Sequence, residues 1–362
     1  MQVRTSVALR LHVWQALRIG MQVMNKYLTV RRIEFVITYL CNSKCRHCQL
    51  GEETERQGFP SHIDKDIAVE IVRKVGRKYK PESIMTFGGE PLLYPEVVYA
   101  IHKEATRMRI PVRDVITNGF WSRRAGEIEE TAYNLAKSGV TEVSISVDAF
   151  HQEFVPLKIV KKVAESLLKA GIAHVSWNPC WVISKDNDNP YNKKTRAVLK
   201  ELETELQIAE SNGNVAQPEG RALFWLQDFL PKKVRIPEEK CGDMPYTERL
   251  NRVKTISVEP DGRVAVCKDF RIGSAYERDI IDIIENYDPF SIPEARAIVE
   301  DGLGGLMRWA KTKGVKADPK GYYNVCDMCR DIRKRARQQQ LVKESSRKTA
   351  REKTRTISNL GT

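Results

Sequence analysis

The chain has 362 residues, of which 41% are hydrophobic and 30% charged, with a formal net charge of +13. That is length for about two domains and apolar content for a sizeable core. No run of about 18 apolar residues exists, which excludes a membrane-spanning helix. The N-terminus lacks a short apolar block with a small-residue cleavage site, which argues against secretion and for a cytoplasmic protein. The eight cysteines then read as metal ligands in a reducing compartment, not as a disulfide framework.

Residues 1 to 30 predict a basic amphipathic helix. Leu11, Trp14, Leu17, Met21, Met24 and Leu28 recur every three or four positions, with Arg10, Arg18 and Lys26 between them. Such a helix packs against a neighbouring domain or lies on an anionic membrane surface, where a basic face with Trp and Leu opposite is at home. From 31 to about 220 the pattern alternates. Strands are expected at 33–39, 83–87, 112–117, 142–147, 172–178 and 214–217, and helices at 64–79, 95–108, 126–138, 156–170 and 193–211. Asp64 and Pro95 open two of these helices, and Gly139 and Gly171 follow two others. Alternating β and α with short links predicts parallel strands joined by right-handed crossovers. Six such units make an α/β fold, an open, partial (β/α)6 TIM-like barrel, with ligands gathered at the C-terminal strand ends.

After Arg221 prolines interrupt the pattern. A hairpin is signalled by Thr255–Val258, the turn Glu259-Pro260-Asp261-Gly262, and Arg263–Cys267. Helices are expected near 277–286 and 293–311, before Cys326-Asp327-Met328-Cys329. From Arg330 to the C-terminus eleven Lys and Arg stand against three acids, a net +8 of the total +13. A tail of that kind is solvated, flexible or helical, or else binds nucleic acid, anionic lipid or an acidic peptide.

Chemistry concentrates in Cys41-Asn42-Ser43-Lys44-Cys45-Arg46-His47-Cys48, directly after the first strand. Thiolates are soft ligands that select zinc, copper(I) or iron–sulfur clusters. Three on one short loop can hold three corners of a cubane and leave the fourth iron open. A zinc site would want a fourth local ligand, and His47, between two thiols, is badly placed to swing inward. One βα unit later come Gly88-Gly89-Glu90-Pro91, whose glycines admit close backbone approach and whose carboxylate can accept an ammonium.

The CxxxCxxC loop followed by this Gly-Gly-Glu-Pro segment resembles the radical S-adenosylmethionine (SAM) superfamily. The resemblance implies that Cys41, Cys45 and Cys48 hold a 4Fe–4S cluster whose fourth iron is chelated by SAM, with Gly88, Gly89 and Glu90 at the methionine amine. His47 stands where the family often has an aromatic residue against adenine, and is either that contact or structural. Asn118, at the end of the third strand, and Ser146, at the end of the fourth, are expected near the ribose or carboxylate of SAM. Asn178 is a further polar contact, and Arg221 either pairs with the carboxylate or is a plain surface residue. Asp148 is a substrate contact or a cap, and Cys180 a buried apolar thiol or a group that quenches a substrate radical.

The remaining thiols, Cys241, Cys267, Cys326 and Cys329, suffice for one complete 4Fe–4S cluster or a zinc ion. Gly262 to Cys267 resembles the Gly-x4-Cys piece of SPASM and twitch auxiliary domains, although the full set of later cysteines is missing. The expected division is a helix at 1–30, a radical SAM core at 31–235, a small α+β auxiliary-cluster domain at 236–330 and a basic tail at 331–362.

The resemblance further implies reductive cleavage of SAM to a 5′-deoxyadenosyl radical, supplied with electrons by a one-electron reductant such as ferredoxin or flavodoxin. The substrate expected first is a peptide or protein side chain. A lipid or other small molecule, reached at a membrane through residues 1–30, is the second expectation. Nucleic acid bound through the tail, and a zinc-stabilised binding protein without catalysis, are the remaining two.

Overall fold

Leu28–Val36 (β1) is the strand on which the sheet is centred. Leu28, Val30, Ile33, Phe35 and Val36 are all buried, while Thr29, Arg31, Arg32 and Glu34 between them are not, because the core packs against one face of the strand. Full burial of side chains of this size contributes about 1.5–3 kcal/mol each. The computed structural model of the chain describes residues 25–49 and 59–358, with side chains as far as Leu341. The helix expected over 1–30 therefore lies mainly outside the described residues. Its last three positions do not continue it, since β1 has already begun at Leu28.

On one side of β1 run Ser83–Phe87 (β2), Val112–Thr117 (β3), Glu142–Ser146 (β4) and His174–Asn178 (β5), all parallel. Helices Lys65–Tyr79 (α1), Pro95–Arg107 (α2), Ala125–Lys137 (α3) and Leu157–Lys169 (α4) connect them. Asp64 caps α1, its carboxylate accepting the backbone N–H of Asp66 and Ile67 at 2.9 Å each, an arrangement worth about 1 kcal/mol. Gly139 and Gly171 take positive φ just beyond α3 and α4, the left-handed position that ends a helix and that glycine occupies at least cost.

The sixth unit departs from the pattern. Cys180–Trp181 (β6) leads to Pro190–Glu205 (α5), and the strand next to β5 in the main sheet is Ala209–Glu210 (β7). The segment expected as the sixth strand holds instead Asn214–Val215 (β8), which pairs with β6 in a separate two-stranded sheet. Trp181 is 1% exposed and Val182 fully buried, so the chain bends away from β5 to bury them, and only a two-residue strand remains to close the row.

A short helix, Ala222–Trp225 (α6), and an irregular stretch precede Val253–Val258 (β9), Arg263–Cys267 (β10) and Phe270–Ser274 (β11). β9 pairs parallel with β1, and β10 and β11 add antiparallel, giving one open nine-stranded sheet ordered β11-β10-β9-β1-β2-β3-β4-β5-β7. The sheet is thus continuous across the division expected near residue 235. Ile280–Glu285 (α7) packs on α1 and β11, and Pro293–Thr312 (α8) is broken at Asp301 and Gly302. The last helix, Val325–Ser358 (α9), packs on α8 and begins before the second Cys pair. Cys326 and Cys329 therefore stand in its first turns, not on a loop. No helix among the described residues is long and apolar enough to cross a membrane.

Candidate functional site

Parallel pairing in matched register brings the C-terminal ends of β1 to β5 to one edge of the sheet. The loop bearing Cys41, Cys45 and Cys48 lies there. Cys45 is buried and the other two are partly exposed. The Cys41 sulfur receives the Ser43 backbone N–H at 3.4 Å and the Asn118 side-chain amide at 3.7 Å. Burial pushes the Cys41 thiol up to about 12, with the neighbouring charges of Glu90, Cys45 and Cys48 acting in the same direction. Three thiols on one short loop are a donor set suited to a soft cation.

Gly88 and Gly89 are explained by the chain itself. The Gly89 N–H donates to Thr38 O at 2.8 Å and the Glu90 N–H to Leu40 O at 2.9 Å. A Cβ on Gly89 would stand 2.0 Å from Leu40 O, and one on Gly88, whose φ is +142°, 2.5 Å from Thr38 O. The loop after β2 thus lies directly on the chain leading into the Cys loop. Glu90 is wholly buried and accepts the Leu92 N–H at 3.0 Å, the Thr117 hydroxyl at 2.7 Å and the Asn118 N–H at 2.7 Å. Of about four lone-pair sites on a carboxylate, one on Oε2 is left for a further donor. Burial raises the Glu90 carboxyl to about 7 against these three bonds.

Asn118 reaches from β3 to the Cys loop, its side-chain amide also donating to Asn42 Oδ1 at 2.8 Å. Ser146 ends β4 in register with Asn178. Asn178 Oδ1 accepts from Ser211 at 3.0 Å and Asn214 at 3.4 Å, so that oxygen holds the β8 segment in place. Asp148 is fully buried and caps the turn after β4. It accepts the N–H groups of Phe150, His151 and Cys180 at 2.9, 2.9 and 3.0 Å, and the His151 ring at 2.8 Å.

His151 carries no signal in the sequence beyond following Asp148 by three residues, yet it is central here. Burial opposes its charge, but Asp148 and the Cys45 sulfur, to which it also hydrogen-bonds, raise it well above the usual range. The His47 ring lies 5.0 Å from that of His151 and 4.8 Å from Phe150. Burial lowers His47 to about 4. The ligand atoms of His47, Asp148 and His151 lie within 4.8 Å of one another. However, His151 is already committed to Asp148 and Cys45, so the trio reads as a charge-paired wall of the thiol site. Cys180 is 5% exposed and shares an apolar cluster with Cys45, Phe150 and Val182.

Behind the Cys loop, the Arg221 N–H donates to Cys48 O at 3.1 Å and its guanidinium to Lys44 O at 3.3 Å. Gly220, at φ +51°, has Cys48 O only 2.6 Å from where a Cβ would stand. The adjacent Glu219 accepts Lys268 and Arg330, and Arg330 also donates to both oxygens of Asp269 at 3.1 and 3.2 Å. Lys268 and Arg330 follow Cys267 and Cys329 directly, so one ion network spans the two Cys groups.

Cys241, Cys267, Cys326 and Cys329 line a single cavity, with Asp269, Phe270, Ile298, Leu303 and Val325 in its wall. Burial raises all four thiols, Cys267 to about 11 and Cys326 to about 12. The Asn324 side chain caps α9 through the Asp327 N–H at 2.9 Å, which places two of the sulfurs near a positive helix end that favours thiolates. Four soft donors on one apolar cavity fit a thiolate-bound metal centre.

Residues 35–193 match the model of the radical SAM superfamily. The chain carries a radical SAM domain. Among curated proteins it is 26% identical over 165 residues to "Putative peptide biosynthesis protein YydG" of Bacillus subtilis (strain 168), a match covering 45% of this chain and 47% of that protein. It is 27% identical over 117 residues to the GTP 3',8-cyclase of Streptomyces coelicolor, covering 32% and 33%. The chain spans about half or less of the length of the curated relatives it matches. Among solved structures, Streptococcus suis SuiB bound to precursor peptide SuiA overlaps at TM-score 0.49 with 14% identity, over 88% of this chain and 79% of that one. The radical SAM domain holds the Cys41 loop, the Gly88–Glu90 segment and the ends of β3 to β5. The second Cys group lies beyond the matched residues.

Proposed function

We propose that this chain is a radical SAM enzyme acting on a peptide or protein side chain, with an auxiliary iron–sulfur centre at its second Cys group. The observation that carries the reading is the contact of the Gly88–Glu90 segment with the chain entering the Cys loop, at the strand ends of a radical SAM domain. In that reading Cys41, Cys45 and Cys48 hold a 4Fe–4S cluster. Glu90 Oε2, Asn118, Ser146 and Asn178 face SAM with His47 beside the adenine, and Cys241, Cys267, Cys326 and Cys329 hold the auxiliary cluster. A cluster held there would, when reduced by a one-electron donor such as ferredoxin or flavodoxin, supply the electron for cleavage of SAM to methionine and a 5′-deoxyadenosyl radical that would take hydrogen from substrate.

The chain's own residues bind, orient and exclude water. Glu90 locks the loops after β2 and β3 in place. Asp148 holds the His151 ring at 2.8 Å and so orients it beside Cys45, as a hydrogen-bonded neighbour of a metal ligand. Phe150, Cys180, Val182 and Leu226 form an apolar wall on that side, where a reactive radical is kept from solvent. Support for a peptide substrate comes from the similarity to the Bacillus peptide biosynthesis protein. It also comes from Phe224 and Trp225, which are 75% and 58% exposed just after Arg221. Arg46 of the Cys loop lies 5.3 Å over the Trp225 ring, so an aromatic and basic platform adjoins the site.

Anaerobic reconstitution tests this. About one cluster's worth of iron at the first site, and 5′-deoxyadenosine formed from SAM under dithionite, are expected, both lost in Cys45→Ala. Bound zinc with no 5′-deoxyadenosine would remove the enzyme reading.

A further inference from the structure

Arg333 stands one helical turn beyond Cys329 on α9 and is 4% exposed. Its guanidinium carbon lies 3.4 Å over the centre of the Phe270 ring, and one Nη donates to Asp269 O at 2.5 Å. Its Nε is buried and has no hydrogen-bond partner. Asp269 and Phe270 are part of the wall that carries the four thiols. Among the described residues Arg333 makes no ion pair with a carboxylate, whereas its neighbour Arg330 is held by Glu219 and Asp269.

A guanidinium always carries its charge in a protein, and burying a charge without a counter-charge costs several kcal/mol. A carbonyl and an aromatic face offset only part of that. The missing anionic partner is at hand in chemical terms. Four thiolates around either Zn²⁺ or an oxidised 4Fe–4S core form a dianionic centre.

We infer that Arg333 is the built-in counter-ion of the centre held by Cys241, Cys267, Cys326 and Cys329, and that it holds that centre's reduction potential up. This rests on the auxiliary iron–sulfur reading proposed above. Reduction adds one electron to a centre that is already negative, so a fixed cation beside it favours the reduced form. Arg333 is a positioning residue in this sense: it touches the wall of the site and acts on the metal through its charge.

The test uses the full chain with Cys41→Ala, Cys45→Ala and Cys48→Ala, so that only the second centre reports. After anaerobic reconstitution, the midpoint potential is measured by titration followed by electron paramagnetic resonance. Arg333→Gln, which keeps a donor for Asp269 O but removes the charge, is expected to shift the oxidised-to-reduced equilibrium at least tenfold toward the oxidised form. For one electron that is a midpoint lower by about 59 mV. Arg333→Lys, which keeps the charge, is expected to show less than half that shift. Full iron content with an unchanged midpoint in Arg333→Gln overturns the inference. Should Arg333→Gln fail to retain iron, retention by Arg333→Lys supports a charge role, and loss in both variants overturns it. A triple-Ala parent that holds no iron, or only zinc, instead removes the auxiliary iron–sulfur reading, and this inference with it.

Discussion

The Glu90 carboxylate accepts the Asn118 backbone N–H at 2.7 Å, deep beneath the surface. That bond ties the loop after β2 to the end of β3, and the Asn118 side chain passes the tie on to Asn42 and Cys41. The geometry of the thiol loop is therefore set by a carboxylate that no ligand has to touch.

Glu90→Gln should separate this structural duty from any ligand contact. Three donors converge on the two carboxylate oxygens, and an amide offers them one oxygen and one NH2 that opposes them. Hydrogen bonds to a charged group are worth about 1.5–3 kcal/mol each, so a loss of about 2–3 kcal/mol in urea unfolding is expected. A stability equal to that of the parent would contradict the description of Glu90 as an internal tie.

Gly89→Ala is a sharper probe of the same junction. The added methyl would meet Leu40 O at 2.0 Å, and the obstacle is backbone, which cannot swing aside. Overpacking of a rigid contact costs about 1–3 kcal/mol or more, and here it also displaces the entry to the Cys loop. Reconstituted iron at the first site should fall together with the melting temperature. A variant with normal stability and full iron would show that the loops have room to part.

Much of this was legible in the sequence, for a physical reason: parallel βα units repeat one local rule. Asp64, Pro95, Gly139 and Gly171 each mark a helix end through their own backbone preferences, and each helix starts or stops beside them. The sixth strand was not legible. Asn214–Val215 has the composition of a strand, but the burial of Trp181 and Val182, more than thirty residues earlier, decides which sheet it joins. His151, Glu219 and Arg333 were missed for a related reason. Each is a single polar residue whose role depends on partners far along the chain, and no local spacing encodes a buried cation over Phe270. The sequence places the Gly88-Gly89 pair beside a ligand, and the structure adds a second reason for both glycines in their close approach to Thr38 and Leu40.

Asp148→Asn should be costly well beyond one hydrogen bond. The carboxylate serves three N–H groups and the His151 ring, and it is the partner of a buried imidazolium. Removing one member of a buried ion pair costs about 3–5 kcal/mol. Thermal unfolding should register that loss. The double variant Asp148→Asn with His151→Gln should recover part of it, since no unpaired cation is then left. Additive losses would show that the two groups do not form a pair.

Asp114 on β3 gives a pH dependence remote from the thiols. One of its oxygens is buried without a partner, and burial, only partly offset by Arg32, raises its carboxyl from 3.8 to about 7. Because the folded-state value is the higher one, the folded chain holds a proton that the unfolded chain releases. This contribution is present in full below about pH 4 and is lost as the pH rises toward 7 and beyond. With one pKa unit worth about 1.4 kcal/mol, and partial exposure discounting it, the span is on the order of 2 kcal/mol. Asp114→Asn should flatten the stability profile between those limits and be the more stable form at pH 8. A wild-type profile matching the variant's across that window would refute the raised carboxyl.

Glu219→Gln tests whether the two Cys groups are mechanically joined. Glu219 sits one residue before Gly220, whose place against Cys48 O leaves no room for a side chain, and its carboxylate faces Lys268 and Arg330 from the second group. Removing its charge leaves Arg330 with Asp269 and takes one ion-pair contact from Lys268. Because Lys268 is 40% exposed, water takes up part of the loss, and about 2 kcal/mol is expected in place of the full cost of a buried pair. The informative quantity is the coupling. Glu219→Gln combined with Arg330→Met should be less damaging than the two single losses summed, by about 0.5–3 kcal/mol, as for residues in one ion network. If the losses add, each Cys group is held by its own surroundings. If they do not, a change in the ligands of one centre has a direct path, through Glu219, to the backbone that carries the other.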